Sequence, residues 1–261
     1  MEILLKGRKA LVGGASRGLG KAIAMQLADC GAEITLMARN EEKLKVALAE
    51  LPCTHGQQHH YLAVDFANFN QFKTTVEGWF QNNTVDILVN NTNGPAAGGV
   101  TDKTTEDYQQ AFDLLFKTVN FITTQALPGM QAAKYGRIIN LSSISVKEPL
   151  QNLVLSNSIR SAVLGWAKTL ARDVAPAGIT VNNILTGYFD TERLKEIHGL
   201  QAEKAGVSLD TYKEKMKLEV PAGRFGQPEE FGQLVAFLAS DFAGYITGTS
   251  IPIDGGLLRG V

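Results

Sequence analysis

The sequence predicts an α/β protein built on one parallel sheet with helices on both faces. Short apolar runs alternate with helix-period segments along the whole 261-residue chain. Those runs lack the in–out alternation of a half-exposed strand, so each is expected to be covered on two sides. No repeat, low-complexity tract or linker breaks the alternation, so the chain reads as a single domain, 1–261.

Ala10–Gly13 is the first buried strand, followed by glycines and a helical pattern over Leu19–Cys30. Glu33–Ala38 is the second strand, and Glu41–Leu51 is an amphipathic helix rich in Leu, Ala, Glu and Lys. Tyr61–Val64, the helix Phe69–Asn82 and the strand Ile87–Asn90 continue the pattern. Asp107–Ala133 is long enough for one helix of several turns before the fifth strand, Arg137–Leu141. A helix over about Asn157–Ala175, a strand Thr180–Leu185, a helix Pro228–Ala239 and a strand Ser250–Ile253 complete the order. The remaining stretch, about 188–226, is rich in Lys and Glu. A connection that long inside a compact domain is expected to form a lid over a site.

Composition narrows the function. A formal net charge of -1, with no basic stripe, argues against electrostatic binding to nucleic acid or an anionic membrane. No run of about 18 apolar residues is present, and Met1–Gly7 reaches the first strand too soon to hold a signal peptide. Cys30 and Cys53 fit a reducing compartment as small apolar fillers, which points to a cytoplasmic protein. His55, His59 and His60 lack the spacing and companions of a metal site and read as surface residues.

The loop Gly13–Gly14–Ala15–Ser16–Arg17–Gly18–Leu19–Gly20 joins the first strand to the first helix. Glycines there permit a tight turn and close backbone approach to a pyrophosphate, and a helix N-terminus supplies amides to the phosphates. Gly14, Ser16, Arg17, Gly18, Leu19 and Gly20 are therefore cofactor-binding candidates. The second strand ends Met37–Ala38–Arg39–Asn40, without the acid that would accept from ribose hydroxyls and repel a 2′-phosphate. Arg39 and Arg17 can both reach that corner, and arginine suits phosphate. NADP(H) is the expected cofactor.

The spacing Gly14-x-x-x-Gly18-x-Gly20, the run Asn90–Asn91–Thr92–Asn93–Gly94, Ser143, and Ile253–Asp254–Gly255–Gly256 together resemble the short-chain dehydrogenase/reductase family. The resemblance spans the chain, lies closest to the ketoacyl-reductase-like branch, and implies a single-domain Rossmann fold. It implies that Asp65 lies beside the adenine, that Asn91 lines the adenosine ribose and that Thr191 contacts the carboxamide. It further implies a homotetramer acting on a small-molecule carbonyl or alcohol. In that family a serine, a tyrosine 13 positions on and a lysine four further along carry the proton chemistry, assisted by an asparagine. Here the four positions hold Ser143, Ser156, Arg160 and, by spacing from Leu127–Pro128, Leu115; the family's lysine also holds the nicotinamide ribose, so the resemblance implies that Arg160 is a cofactor-binding residue as well. Asn120 falls five residues late, on another helix face.

An aliphatic alcohol ionises too reluctantly to replace a tuned phenol, and a guanidinium does not give up its proton. Tyr188 and Lys147 are alternative acids. Two readings follow: an NADP(H)-dependent oxidoreductase with altered proton-transfer residues, or a non-catalytic NADPH-binding protein serving as a sensor or partner subunit.

Overall fold

The computed structural model describes residues 2–260 and holds one seven-stranded sheet in the order β3-β2-β1-β4-β5-β6-β7, parallel throughout. The strands are β1 Lys9–Gly13, β2 Glu33–Ala38, β3 His60–Ala63, β4 Ile87–Asn90, β5 Gly136–Ser143, β6 Ile179–Thr186 and β7 Ser250–Ile253. The helices are α1 Gly18–Asp29, α2 Glu41–Ala49, α3 Phe69–Phe80, α4 Thr105–Phe112, α5 Thr118–Ala133, α6 Val154–Val174, α7 Glu192–Ala205, α8 Leu209–Glu219 and α9 Pro228–Ala239.

Successive residues of a strand feed opposite layers, which is why the strands are apolar without alternation. Ala10 and Val12 pack with Ile23, Leu27, Phe231 and Val235 of α1 and α9. Leu11, between them, packs with Phe72, Val76, Ile122 and Met130 of α3 and α5. Chain order reverses between β1 and β4, so the helices diverge there and leave a crevice at the carboxyl edge of the sheet.

Four expectations are corrected. The expected helix Asp107–Ala133 is two helices joined by a π-helical turn at Asp113–Lys117, where the Thr118 hydroxyl donates to the Leu114 carbonyl. The first of them starts at Thr105, because Thr104 and Asp107 form a reciprocal capping box. The 188–226 stretch is not an irregular loop: it holds α7 and α8, capped by Thr191 and Ser208 and separated at Gly206. Cys53 is exposed rather than an apolar filler. His59 is half-buried, accepting from the Ile34 amide at 3.1 Å while its other ring nitrogen lies 3.0 Å from the Pro52 carbonyl.

A row of buried amides crosses the sheet at mid-height. Asn90 donates to Asn140 at 2.8 Å, Asn140 to Asn183 at 3.0 Å, and Asn183 to the Ser250 hydroxyl at 3.2 Å. Each side chain satisfies its neighbour, so polar groups are tolerated inside otherwise apolar strands. The row braces β4 to β7 directly beneath the carboxyl edge.

Candidate active site and cofactor cleft

The turn after β1 is shaped for close approach. Gly14 has φ +59°, and a Cβ on Gly20 would run into the Gly14 carbonyl oxygen. Asn91 donates from Nδ2 to the Gly13 carbonyl at 3.0 Å and packs its side chain against Gly14, fixing the turn to the end of β4. Leu19 anchors the start of α1 in the core, and Ser16 is half-buried in the turn. Arg17 is extended, and no side chain caps the helix, so the first-turn amides face the crevice. A pyrophosphate fits this cradle.

At the adenosine end, β2 finishes without a carboxylate. The next acid, Glu41, is engaged by the Tyr61 hydroxyl at 2.9 Å and by Lys45 at 3.2 Å. Arg39 is 72% exposed, and its guanidinium lies 4.0 Å from Asp65. Asp65 accepts from the Ala67 amide at 3.0 Å, holding the turn after β3. These residues fit NADP(H).

Arg17 does not share that corner with Arg39. Its guanidinium contacts Glu192 and Glu196 of α7, each at 2.9 Å. Thr191 accepts from the Leu194 amide at 3.2 Å as the N-cap of α7, and its methyl side faces Gly18.

The reaction-centre candidates come together. Ser143 ends β5 opposite Thr186 of β6, and its hydroxyl accepts from the Ser145 amide at 3.1 Å. Ser156 and Arg160 sit four residues apart on the face of α6 turned toward β5. Arg160 donates from Nη1 to the Leu141 carbonyl at 2.8 Å and from Nε to the Ser156 hydroxyl at 3.3 Å. Burial, with no neighbouring carboxylate to oppose it, pushes the Arg160 guanidinium down to about 10. It therefore remains a cation at neutral pH.

Leu115, in the π-helical turn, lines a small cavity of about 10 Å³ with Asn90, Thr92, Asn140, Ser142 and Arg160. The hydroxyls of Ser142, Ser145 and Thr186 are buried without protein partners among the described residues. Asn140, Ser142, Ser145 and Thr186 are polar residues that spacing alone did not single out; polar side chains at the carboxyl ends of two apolar strands were the available signal. A cavity of about 610 Å³ lies beside α6 between Gly99, Pro149, Leu150 and Asn157, and none of Ser143, Ser156 or Arg160 lines it.

The two alternative acids differ in setting. Tyr188 lines a separate cavity of about 160 Å³ with Phe189, Arg224 and Asp254, and packs edge-on against His198 and Phe225. Burial, with the Glu219 charge second, pushes its phenol above its ordinary value, which makes it a weaker acid. Lys147 is exposed.

Comparison with known proteins converges on one family. A family model described as enoyl-(acyl carrier protein) reductase matches residues 14–258. The 3-oxoacyl-(acyl-carrier-protein) reductase of Aquifex aeolicus is 30% identical over 269 residues, covering 98% of this chain and 100% of that one. The NADPH-dependent reductase BacG of Bacillus subtilis is 32% identical over 262 residues, covering 97% and 99%. Among solved structures, the L-sorbose reductase of Gluconobacter frateurii, complexed with NADPH and L-sorbose, matches with TM-score 0.93 and 30% identity over 100% of both chains. With the parallel sheet, the glycine turn and Ser143 in the positions described, the chain is a member of the short-chain dehydrogenase/reductase family.

Proposed function

We propose that the protein is an NADP(H)-dependent oxidoreductase that reduces the carbonyl of a small-molecule substrate, in the manner of a 3-oxoacyl reductase. In this reading Ser143, Ser156 and Arg160 hold the reacting oxygen by hydrogen bonds and do not protonate it. The observation that carries the reading is the Arg160 guanidinium, cationic and unopposed by a carboxylate, clasped between Leu141 and Ser156 at the carboxyl edge of the sheet. The reductase relatives, NADPH-dependent in BacG, support it.

The nicotinamide supplies the hydride when bound. The Ser143 hydroxyl makes a hydrogen bond to the carbonyl oxygen and keeps its proton, and Arg160 offsets the negative charge that grows there. Donors placed where charge develops are worth roughly 10²–10³ in rate each. The general acid forgone is worth ~10²–10⁴. The product oxygen then takes its proton from water. A second reading is favoured by the missing acid and by the description of the matching family model. When a double bond conjugated to a carbonyl is reduced, the oxygen becomes an enolate, a weaker base than an alkoxide. Fixed donors suffice for an enolate.

NADPH oxidation with a 3-oxoacyl thioester and with a 2-enoyl thioester tests both readings. Turnover of the first supports carbonyl reduction, and turnover of the second alone supports the conjugated reading. Tight NADPH binding with neither reaction would favour a non-catalytic NADPH-binding protein.

The stretch 188–226 acts as a lid over a single domain in this account, since α7 begins against the glycine turn. A cytoplasmic setting is supported by the two free cysteines, and no helix among the described residues is long and apolar enough to cross a membrane. A homotetramer is supported by the aromatic row Phe112–Phe116–Trp166 on α4, the π-helical turn and α6, and by Phe242 and Tyr245, exposed just before β7. Closed symmetric assembly buries such faces. A stable monomer by mass in solution would remove this part.

A further inference from the structure

Two arginines were expected at the 2′-phosphate corner; Arg39 stands exposed at the end of β2, 4.0 Å from Asp65, and Arg17 does not join it. The Arg17 guanidinium reaches across the cleft to α7, where its Nη1 lies 2.9 Å from both the Glu192 and the Glu196 carboxylates. Glu196 also meets Arg193 at 3.4 Å. Hydrogen bonding to the two carboxylates raises the Arg17 guanidinium above its ordinary value, and the bond from Arg17 lowers the Glu196 carboxyl. Both effects belong to charged pairs at neutral pH. The same end of α7 packs Thr191 against Gly18, so the lid and the glycine turn meet where Arg17 crosses.

Resting on the NADP(H) reading above, we propose that Glu192 and Glu196 are specificity-determining residues: they hold Arg17 on the lid, leave the 2′-phosphate to Arg39, and so moderate the preference for NADP(H). With Nη1 held by two carboxylates, the Arg17 charge is balanced on the lid side and its guanidinium is held over α7 rather than beside Arg39. For Arg17 to turn to the corner where Arg39 stands, it leaves both pairs, which also loosens the tie between α7 and the glycine turn. NADH has no 2′-phosphate and makes no such demand. The carboxylates therefore subtract affinity from one cofactor and not the other.

The test is fluorescence titration of NADPH and NADH against the parent, Glu192→Gln/Glu196→Gln, and the same pair of changes combined with Arg17→Ala. Both glutamates are exposed, and glutamine keeps their shape. Exposed ion pairs are individually weak, so releasing two should tighten NADPH by about threefold to tenfold. NADH should change by less than about twofold. With Arg17→Ala the gain for NADPH should vanish. Equal tightening of both cofactors would mean general repulsion of any dinucleotide, and a gain that survives Arg17→Ala would mean that Arg17 is not the mediator. Either result overturns this proposal alone. A parent that prefers NADH, or binds neither cofactor, overturns the cofactor reading and this proposal with it.

Discussion

Replacing Arg160 with methionine separates a residue kept for its site from one kept for the fold. Burial moves the guanidinium well below its ordinary value, to about 10. That displacement corresponds to roughly 3 kcal/mol against the charged form. The sign is fixed by the direction: the folded value lies below the unfolded one, so the cost is fully present at neutral pH and is relieved only as pH rises above about 10. Opposing it are the bonds to the Leu141 carbonyl at 2.8 Å and the Ser156 hydroxyl at 3.3 Å. A short charge-assisted bond contributes ~1.5–3 kcal/mol and the longer one less, so the two sides nearly cancel. Methionine fills similar volume, and Leu141 keeps its pairing with Ile184 in the sheet. Stability should therefore change by no more than about 1 kcal/mol, or ~2–4 °C in Tm for a chain of this size. NADPH affinity should fall about tenfold, the worth of one charged hydrogen bond to the cofactor ribose. Thermal unfolding and fluorescence titration read the two effects. A Tm loss well beyond ~4 °C with NADPH binding unchanged would make Arg160 a structural residue and refute the assignment.

Arg39→Asp should weaken NADPH about tenfold more than NADH, since it removes a phosphate partner and adds a repelling charge; equal losses in paired titrations would detach Arg39 from the 2′-phosphate. His198 is packed among Tyr188, Tyr212 and Phe225, and burial first, then Lys213, holds its ring below the ordinary 6.5. Its folded value lies below its unfolded one, so lid stability is complete above pH ~6.5 and declines as pH falls below it. Limited proteolysis within 190–226 should accelerate between about pH 7.5 and 5.5, and His198→Phe should flatten that dependence. An unchanged pH response in His198→Phe would assign the effect to another group.

Much of the architecture was legible because its physics is local. Glu33–Ala38, Ile87–Asn90, Pro228–Ala239 and Ser250–Ile253 have the bounds read from their apolar runs and turn residues. β5 and β6 run further than expected because Ser142, Ser143 and Thr186 are polar yet paired in register to the ends of both strands. The break at Asp113–Lys117 was hidden, since the apolar stripe continues through Leu114, Leu115 and Phe116 across the π turn. Ser156 and Arg160 were found by spacing along one helix. The partners of Arg17 were not, because they lie 175 and 179 residues away among many surface charges. Only the fold brings α7 over the glycine turn. The amide row from Asn90 to Ser250 was hidden for the same reason: each asparagine is one polar residue in an apolar strand until the strands are aligned.

The central claim is that this site supplies hydrogen bonds and charge to the reacting oxygen but no ionisable acid. The most direct test compares steady-state NADPH oxidation by the parent and by Ser156→Tyr/Arg160→Lys, at matched cofactor saturation, on a simple ketone and a 3-oxoacyl thioester. The account predicts slow parent turnover despite good NADPH binding. It also predicts a gain in the double variant toward the ~10²–10⁴ that a positioned acid contributes, limited by how far Leu115 obstructs a relay water. Rapid parent turnover that the double variant abolishes would contradict it, because Ser156 and Arg160 would then already form a complete proton-transfer mechanism.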